Sequence, residues 1–171
     1  MKKLLFVLAL LMPILTFAQP PQPHLMVMGI ALGQDSTVFA SRLIDRGFIP
    51  VTADNGKWHG FQGDFWKLSN CKIVLKTDKD HKVDRVAVLA NEADYHLMSP
   101  LFKSLTSKYD EREPTFIDSN GDWFKCMWLA GPGVIEMNCM GDPVNIFQLT
   151  YYDAQAALEY LKAISSKLDD L

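Results

Sequence analysis

The sequence contains none of several short motifs that mark common catalytic and nucleotide-binding sites. There is no GxSxG nucleophile motif, no HExxH zinc motif and no glycine-rich phosphate loop. The four histidines lie far apart, and no Cys/His arrangement has the spacing of a structural zinc site. From these absences we predict no catalytic residue, no metal site, no cofactor and no enzymatic activity.

An excess of positive charge is also missing. The chain has 17 Lys and Arg against 20 Asp and Glu, which gives a formal net charge of −3. Proteins that bind nucleic acid carry a basic patch that neutralises phosphates. A mildly acidic chain repels phosphate instead, so the sequence predicts no nucleic-acid partner.

The first 18 residues contain the only long apolar run. Lys2 and Lys3 precede an apolar stretch over residues 4–15, and Ala18 provides the small residue at which a signal peptidase would cut. The stretch is shorter than the roughly 20 residues that cross a bilayer. We expect cleavage after Ala18 and a periplasmic or secreted protein with no membrane attachment thereafter.

Cysteine is scarce for an exported chain, with Cys71, Cys126 and Cys139 as its three representatives. Three cysteines cannot all pair within one chain. If residues 123–129 and 134–140 form a hairpin, one register sets Cys126 opposite Met137, and another sets it opposite Cys139. We favour free buried thiols, and a Cys126–Cys139 disulfide is the alternative.

What the sequence does contain is a series of short apolar runs separated by Gly, Pro and Asp turns. Residues 122–153 hold three such runs, which is the pattern of an antiparallel meander. A similar series covers residues 48–90, and residues 25–32 could form one further strand. Strands are predicted over residues 48–52, 57–68, 71–77 and 82–90, with turns at 53–56, 69–70 and 78–81.

Helical periodicity occurs in three places. Asp35 is an N-cap candidate before a stripe of apolar residues, and Gly47 followed by Phe48 has the Schellman pattern of a helix end. Apolar stripes predict the other two helices. The three predicted helices span residues 36–46, 94–109 and 153–168.

Together these elements predict an α+β fold, in which three helices pack on antiparallel sheet built from two four-strand meanders. The predicted organisation is a signal peptide at 1–18, a disordered or extended leader at 19–24 and one domain at 25–171. The segments 34–92 and 94–152 align at an offset of 61 to 62 residues, which matches Trp66 with Trp128 and Ile73 with Ile135. Internal duplication is one interpretation, and chance similarity of two meanders is the other.

Three segments carry a resemblance to known proteins: MGIALGQDSTVFASRLIDRGF, LFKSLTSKYDE and LTYYDAQAALEYLKAISSKLDDL. They resemble uncharacterised exported proteins of Bacteroidetes-type bacteria. The tandem helix-plus-meander plan is similar to that of β-lactamase-inhibitor-like proteins. The resemblance implies export and architecture and points to binding more than to catalysis. It transfers no functional residue.

The candidate binding surface is the sheet face that carries surplus aromatic and methionine side chains. Trp123, Met127 and Leu129 alternate with the set that would face the core, and Trp58 and Trp66 share one parity in the first half. Tryptophan is favoured at binding surfaces. We predict binding of another exported or envelope protein through Trp58, Trp66, Trp123 and Met127, although cover by a helix or loop is the simpler interpretation of this face.

The alternative function is a small periplasmic hydrolase or ligand-binding protein. It requires a pocket between sheet and helices in which His59, Asp64 and Glu136 converge. A Cys71–His59 pair is a further catalytic candidate, but Cys71 precedes an apolar run and is better explained as a core residue.

Overall fold

The structure is a computed structural model that describes residues 24–52, 59–91, 95–109, 115–120, 123–140 and 146–169. The predicted signal peptide and nearly all of the predicted leader therefore lie outside the described residues. Within the described ranges, no helix has the length and apolar character needed to cross a bilayer.

The fold is α+β and antiparallel, as predicted, with three helices among the described residues. They are α1 at Ser36–Ile44, α2 at Tyr95–Tyr109 and α3 at Ala154–Asp169. Ten strands accompany them: β1 Met26–Val27, β2 Ile30–Ala31, β3 Ile49–Thr52, β4 His59–Phe65, β5 Leu68–Thr77, β6 Val83–Asn91, β7 Thr115–Asn120, β8 Trp123–Leu129, β9 Gly133–Met140 and β10 Ile146–Asp153.

Eight of these strands form one continuous sheet in the order β3-β4-β5-β6-β10-β9-β8-β7. Each meander keeps its chain order, and the two meanders join through their last strands. At this junction Leu149 of β10 lies opposite Val88 of β6 in an antiparallel ladder. Because an antiparallel pair is related by a local twofold axis, the second meander repeats the first in reverse order across the junction.

The two faces of the sheet are covered by different elements. Buried side chains of α1 and α2, such as Phe39 and Leu105, share a core cluster with Val88 and Leu149. The opposite face packs against α3 in a smaller cluster that includes Val134. The molecule thus has three layers, with the sheet in the middle.

The sequence signals at the ends of α1 explain its bounds. The Asp35 carboxylate accepts a hydrogen bond from the Thr37 backbone N–H at 2.8 Å. Hydrogen bonds from the Thr37 hydroxyl and backbone hold the pKa of Asp35 below its usual value. At the other end Gly47 has φ +87°, and the Phe48 N–H donates to the Leu43 carbonyl at 3.1 Å. This is the predicted Schellman cap, and the helix ends at Ile44, two residues before the predicted end.

The predictions of a single strand over residues 25–32, a strand over residues 57–68 and a turn at residues 69–70 are wrong. Residues 25–32 form a hairpin of β1 and β2 and not a single strand, because Met28 and Gly29 both adopt positive φ (+52° and +74°) and reverse the chain. The predicted strand over residues 57–68 ends at Phe65, which pairs with Leu68 around a two-residue turn. The predicted turn at residues 69–70 lies within β5, where the register shifts and Asn70 has φ +56°.

The strand pairings can be compared with the alignment of the two halves at an offset of 61 to 62 residues. Val88 and Leu149, which the alignment matches, lie opposite each other at the junction. Their partners on the next strands are Ile73 and Met137, whereas the alignment matches Ile73 with Ile135. Trp66 lies in a turn, whereas Trp128 is a fully buried strand residue. Internal duplication itself stays a prediction.

The β8–β9 register settles the cysteine question. Cys126 lies opposite Met137, and all three cysteines are free and buried. Burial raises the pKa of Cys126 to about 12, with smaller contributions from Cys139 and Glu136. Burial likewise raises the pKa of Cys139 to about 12. Such thiols are almost wholly protonated at neutral pH and are poor nucleophiles.

We therefore expect the native protein at pH 8 not to react with Ellman's reagent on the minute timescale. A thiol whose pKa is raised is a thiolate only above that pKa, so reactivity should appear at strongly alkaline pH or after unfolding. In guanidinium chloride three thiols should be titrated. Rapid reaction of the folded protein, or a Cys126–Cys139 linked peptide after non-reducing digestion, would contradict the structure.

Candidate functional site

An apolar pocket of about 250 Å³ lies where the two meanders, α2 and the β1–β2 hairpin meet. Phe65 and Trp66 come from the first meander, and Tyr151 comes from the last strand of the second. The lining side chains are mostly apolar, aromatic or sulfur-bearing: Met26, Met28, Phe65, Trp66, Leu101, Ser104, Leu105, Lys108, Tyr109 and Tyr151. We call this cavity the Trp66 pocket.

The Trp66 pocket combines a buried floor with an exposed rim. Leu101, Leu105 and Tyr151 are at most 5 % exposed, whereas Trp66 and Met26 are 42 % and 43 % exposed. Burial raises the pKa of the Tyr151 phenol, with a smaller contribution from Tyr109. Tyr151 is therefore neutral at any physiological pH, and it provides the pocket with an uncharged, buried floor.

Backbone conformation makes this pocket unusual. Among the described residues, four non-glycine residues have positive φ: Met28 (+52°), Trp66 (+54°), Asn70 (+56°) and His81 (+60°). Asparagine and histidine adopt this conformation more readily than most residues, but for a bulky apolar residue it is an outlier. The two outliers, Met28 and Trp66, both line the Trp66 pocket.

These conformations carry an energetic cost that the turns do not require. A left-handed backbone costs an L-residue about 1–2 kcal/mol, and Gly or Asn would relieve most of it. Trp66 is the first central residue of the two-residue β4–β5 turn, and Gly is the usual residue where that position alone has positive φ. Strained residues of this kind cluster at ligand sites, where the surrounding structure offsets the cost.

Two lysines lie over aromatic rings at this site. The Lys67 ammonium is 5.3 Å from the centroid of the Trp66 ring. The Lys108 ammonium is 4.7 Å from the centroid of the Tyr109 ring. Both distances are within the range of cation–π attraction. The pocket therefore has an apolar interior and positive charge beside two of its aromatic residues.

Replacement of Trp66 by asparagine tests whether this residue serves the fold. We expect Trp66→Asn to change Tm by no more than about 3 °C, because relief of about 1 kcal/mol of backbone strain opposes the loss of the partly buried, 42 % exposed indole. Thermal unfolding by circular dichroism measures this. Trp128→Ala is the matched control, since Trp128 is fully buried and its indole N–H donates to Thr106 at 3.1 Å.

The free energy of unfolding of Trp128→Ala should be about 3–5 kcal/mol lower than that of the unaltered protein, which is the usual cost of truncating a core aromatic residue. If Trp66→Asn were destabilised to the same degree, Trp66 would be a core residue. Its conformation would then no longer indicate a binding site.

Of the other predicted binding residues, one lies on a different surface and two have side chains outside the described residues. Met127 is half-buried on the opposite sheet face, where it packs against the α3 cluster. Trp123 pairs with Met140 in β8, but its side chain is outside the described residues. Trp58 is entirely outside them. The structure thus separates Trp66 from Met127, which lie at different places in the fold and do not form one aromatic sheet face.

The face that carries Met127 is covered in part, as the simpler interpretation expected. Helix α3 buries Val134 to 1 % exposure, whereas Leu129 and Met140 remain 55 % and 44 % exposed. Leu129 and Leu158 of α3 line an open apolar groove of about 590 Å³. None of the described residues that line this groove is charged or is a non-glycine residue with positive φ.

Beneath α3 the same face contains a polar cluster. Glu136 accepts a hydrogen bond from the Tyr152 hydroxyl at 3.4 Å and forms an ion pair with Lys125 at 3.2 Å. The Tyr152 and Tyr160 rings stack at 4.5 Å between centroids. Glu136 is 4 % exposed, so its charge is buried, and Lys125 and the Tyr152 hydroxyl are its partners. We interpret this cluster as the polar part of the α3 interface.

The residues expected to converge in a catalytic pocket do not do so. Glu136 lies on β9 and Asp64 on β4, four strands apart, which is about 19 Å at the usual strand spacing. The exposed Asp64 carboxylate accepts a hydrogen bond from the Asn70 N–H at 3.1 Å and supports the β4–β5 connection. The side chain of His59 is outside the described residues.

The Cys71–His59 pair is not formed either. Cys71 pairs with Gly63, whereas His59 pairs with Leu75, so the two backbones are four residues apart along the ladder, or about 13 Å. Cys71 is fully buried, and burial raises the pKa of its thiol. It is a core residue, as the apolar run beside it indicated.

One motif-like spacing was missed in the sequence. Ser69 and Lys72 have the Ser-x-x-Lys spacing of some acyl-transfer enzymes. In the structure both side chains are exposed on β5. An acyl-transfer site also needs a pocket that encloses the substrate, and an open strand surface provides none. The spacing therefore has no catalytic geometry here.

A polar cleft lies beside the start of α3. It includes Asp84, whose pKa is raised, chiefly by burial and against the attraction of Arg85 and Lys76. Asp78 also lines the cleft, but its carboxylate accepts hydrogen bonds from the backbones of Asp80 and Lys82 within the β5–β6 turn. Among the described residues, no group of three or more His, Cys, Asp or Glu side chains could hold a metal ion.

Comparison of the chain with protein families, with curated proteins and with solved structures finds no match. The site must therefore be judged from its own geometry.

Proposed function

We propose that this chain is an exported, non-catalytic binding module that holds another protein or peptide through the Trp66 pocket. The proposal rests on the finding that two residues with strained backbones lie at the same cavity. Met28 and Trp66, the two bulky residues with positive φ, come from separate hairpins and line one cavity. Gly or Asn would carry less backbone strain at either position, and although Met28 packs in part against the core, the Trp66 side chain is 42 % exposed, which favours a use for it at the surface.

The size and lining of the cavity favour a protein partner over a small ligand. Small-molecule sites usually measure about 300–1,000 Å³ and combine an apolar wall with several convergent polar groups. The Trp66 pocket measures about 250 Å³ and has few polar groups. It fits one apolar side chain of a partner, surrounded by a half-exposed tryptophan and methionine of the kind that favours recognition.

Peptide display provides the test. We expect selection on the immobilised protein to enrich peptides that contain one large apolar residue, Leu, Ile, Phe or Met, at a fixed position. Trp66→Asn should raise the dissociation constants of the enriched peptides at least tenfold, because the pocket loses the Trp66 side chain while the fold is kept. Isothermal titration with synthetic copies of the selected peptides measures the change.

His81→Asn is the matched control in that experiment. His81 also has positive φ in a turn, so the substitution acts on the same backbone conformation away from the pocket. It should leave peptide affinity unchanged. If the selected peptides bound Trp66→Asn and the unaltered protein equally well, or if no sequence were enriched, the proposed function would be wrong.

Export is part of the same proposal and rests on the first 18 residues alone. The expected partner is another exported or envelope protein. Expression of the full chain in a bacterial host, followed by cell fractionation and intact-mass analysis, should give a periplasmic or secreted product that begins at Gln19. A cytoplasmic product that retains Lys2 and Lys3 would remove this part of the proposal.

A further inference from the structure

The charge around the Trp66 pocket narrows the kind of partner that fits it. None of the described lining residues is an aspartate or glutamate, and Lys108 is the one charged residue among them. Lys67 adds a second ammonium beside the Trp66 ring. The described ion pairs are His24–Asp153 and Lys125–Glu136, so within the described chain neither of these lysines is neutralised by a carboxylate within 4 Å.

Each ammonium is held close to the pocket by an aromatic ring. Lys67 lies 5.3 Å from the Trp66 centroid and Lys108 lies 4.7 Å from the Tyr109 centroid. Both rings line the pocket, so each ammonium lies beside a residue that a bound side chain would contact. A cation placed on a ring edge or face remains available to an anion on its outer side.

We infer that the partner is an acidic segment, in which the apolar side chain that fills the Trp66 pocket is flanked by Asp or Glu. This inference rests on the proposed function and adds the charge of the ligand to it. The carboxylates contact Lys67 and Lys108 while the apolar residue is buried. Complementary charge of this type speeds association and excludes basic partners more than it adds affinity.

Three short peptides separate the charge from the apolar contact. N-acetyl-Asp-Leu-Asp-amide and N-acetyl-Asn-Leu-Asn-amide have the same shape and differ in charge, and N-acetyl-Lys-Leu-Lys-amide reverses the charge. Nitrogen-15 NMR titration of the protein reports dissociation constants in the millimolar range. At 20 mM salt we expect the Asp peptide to bind about fivefold more tightly than the Asn peptide and the Lys peptide to bind most weakly.

At 0.5 M sodium chloride the dissociation constants of the Asp and Asn peptides should become nearly equal, because salt screens exposed charges. A Lys67→Gln/Lys108→Gln variant should bind both peptides as the unaltered protein binds the Asn peptide. Lys72→Gln/Lys76→Gln changes the net charge equally on exposed residues of β5 that do not line the pocket, and should keep the fivefold difference.

The outcomes distinguish this inference from the proposed function. Equal binding of the Asp and Asn peptides, abolished by Trp66→Asn, would leave the pocket as a binding site and overturn the charge preference. Tighter binding of the Lys peptide than of the Asp peptide would also leave the pocket as a binding site and overturn the charge preference. If none of the three peptides shifted the resonances of pocket residues at 10 mM, both the inference and the proposed function would be overturned.

Discussion

The rest of the structure depends on the pairing of β6 with β10. These strands are the last of their meanders, and their ladder centres on Val88 and Leu149, which are both fully buried. The pairing turns two four-strand sheets, each too small to bury both its faces, into one sheet of eight strands. Because the local twofold axis is perpendicular to the sheet, α1 and α2 fall on the same face and share one core.

The junction also creates the candidate site. Trp66 belongs to the first meander, whereas Tyr151 and the helix that carries Leu105 belong to the second half of the chain. Both halves of the chain contribute lining residues. The β1–β2 hairpin adds Met28 from a third segment, and its Leu25 and Ile30 anchor it in the common core. A cavity between such independently anchored elements can keep side chains in strained conformations, since the strain is offset by burial in each element.

Sequence patterns predicted the elements well because the signals involved are local. The Asp35 cap, Gly47 and Phe48 determine α1 through contacts within a few residues of each other. Alternation placed Cys126 and Met137 on one face of a hairpin, and the structure pairs them. The three-helix, antiparallel α+β prediction is confirmed for the same reason: periodicity records which face of each element is buried.

The site could not be predicted in the same way. The turn at Trp66 was missed because Ser69 and Asn70 carry the stronger turn signal, and the structure uses that signal for an irregularity within β5. Trp66 was predicted on a sheet face together with Met127, but tertiary pairing places them on separate surfaces. The pocket itself joins residues from positions 26 to 151, and no local pattern records such a meeting.

The central claim is that the working surface is the Trp66 pocket, built from both meanders. Nitrogen-15 NMR shift mapping of a selected apolar peptide tests it most directly. We expect the largest shifts to cluster at Trp66, Leu105 and Tyr151, which come from both halves of the chain. Shifts confined to the groove at Leu129 and Leu158, on the opposite face of the sheet, would contradict it.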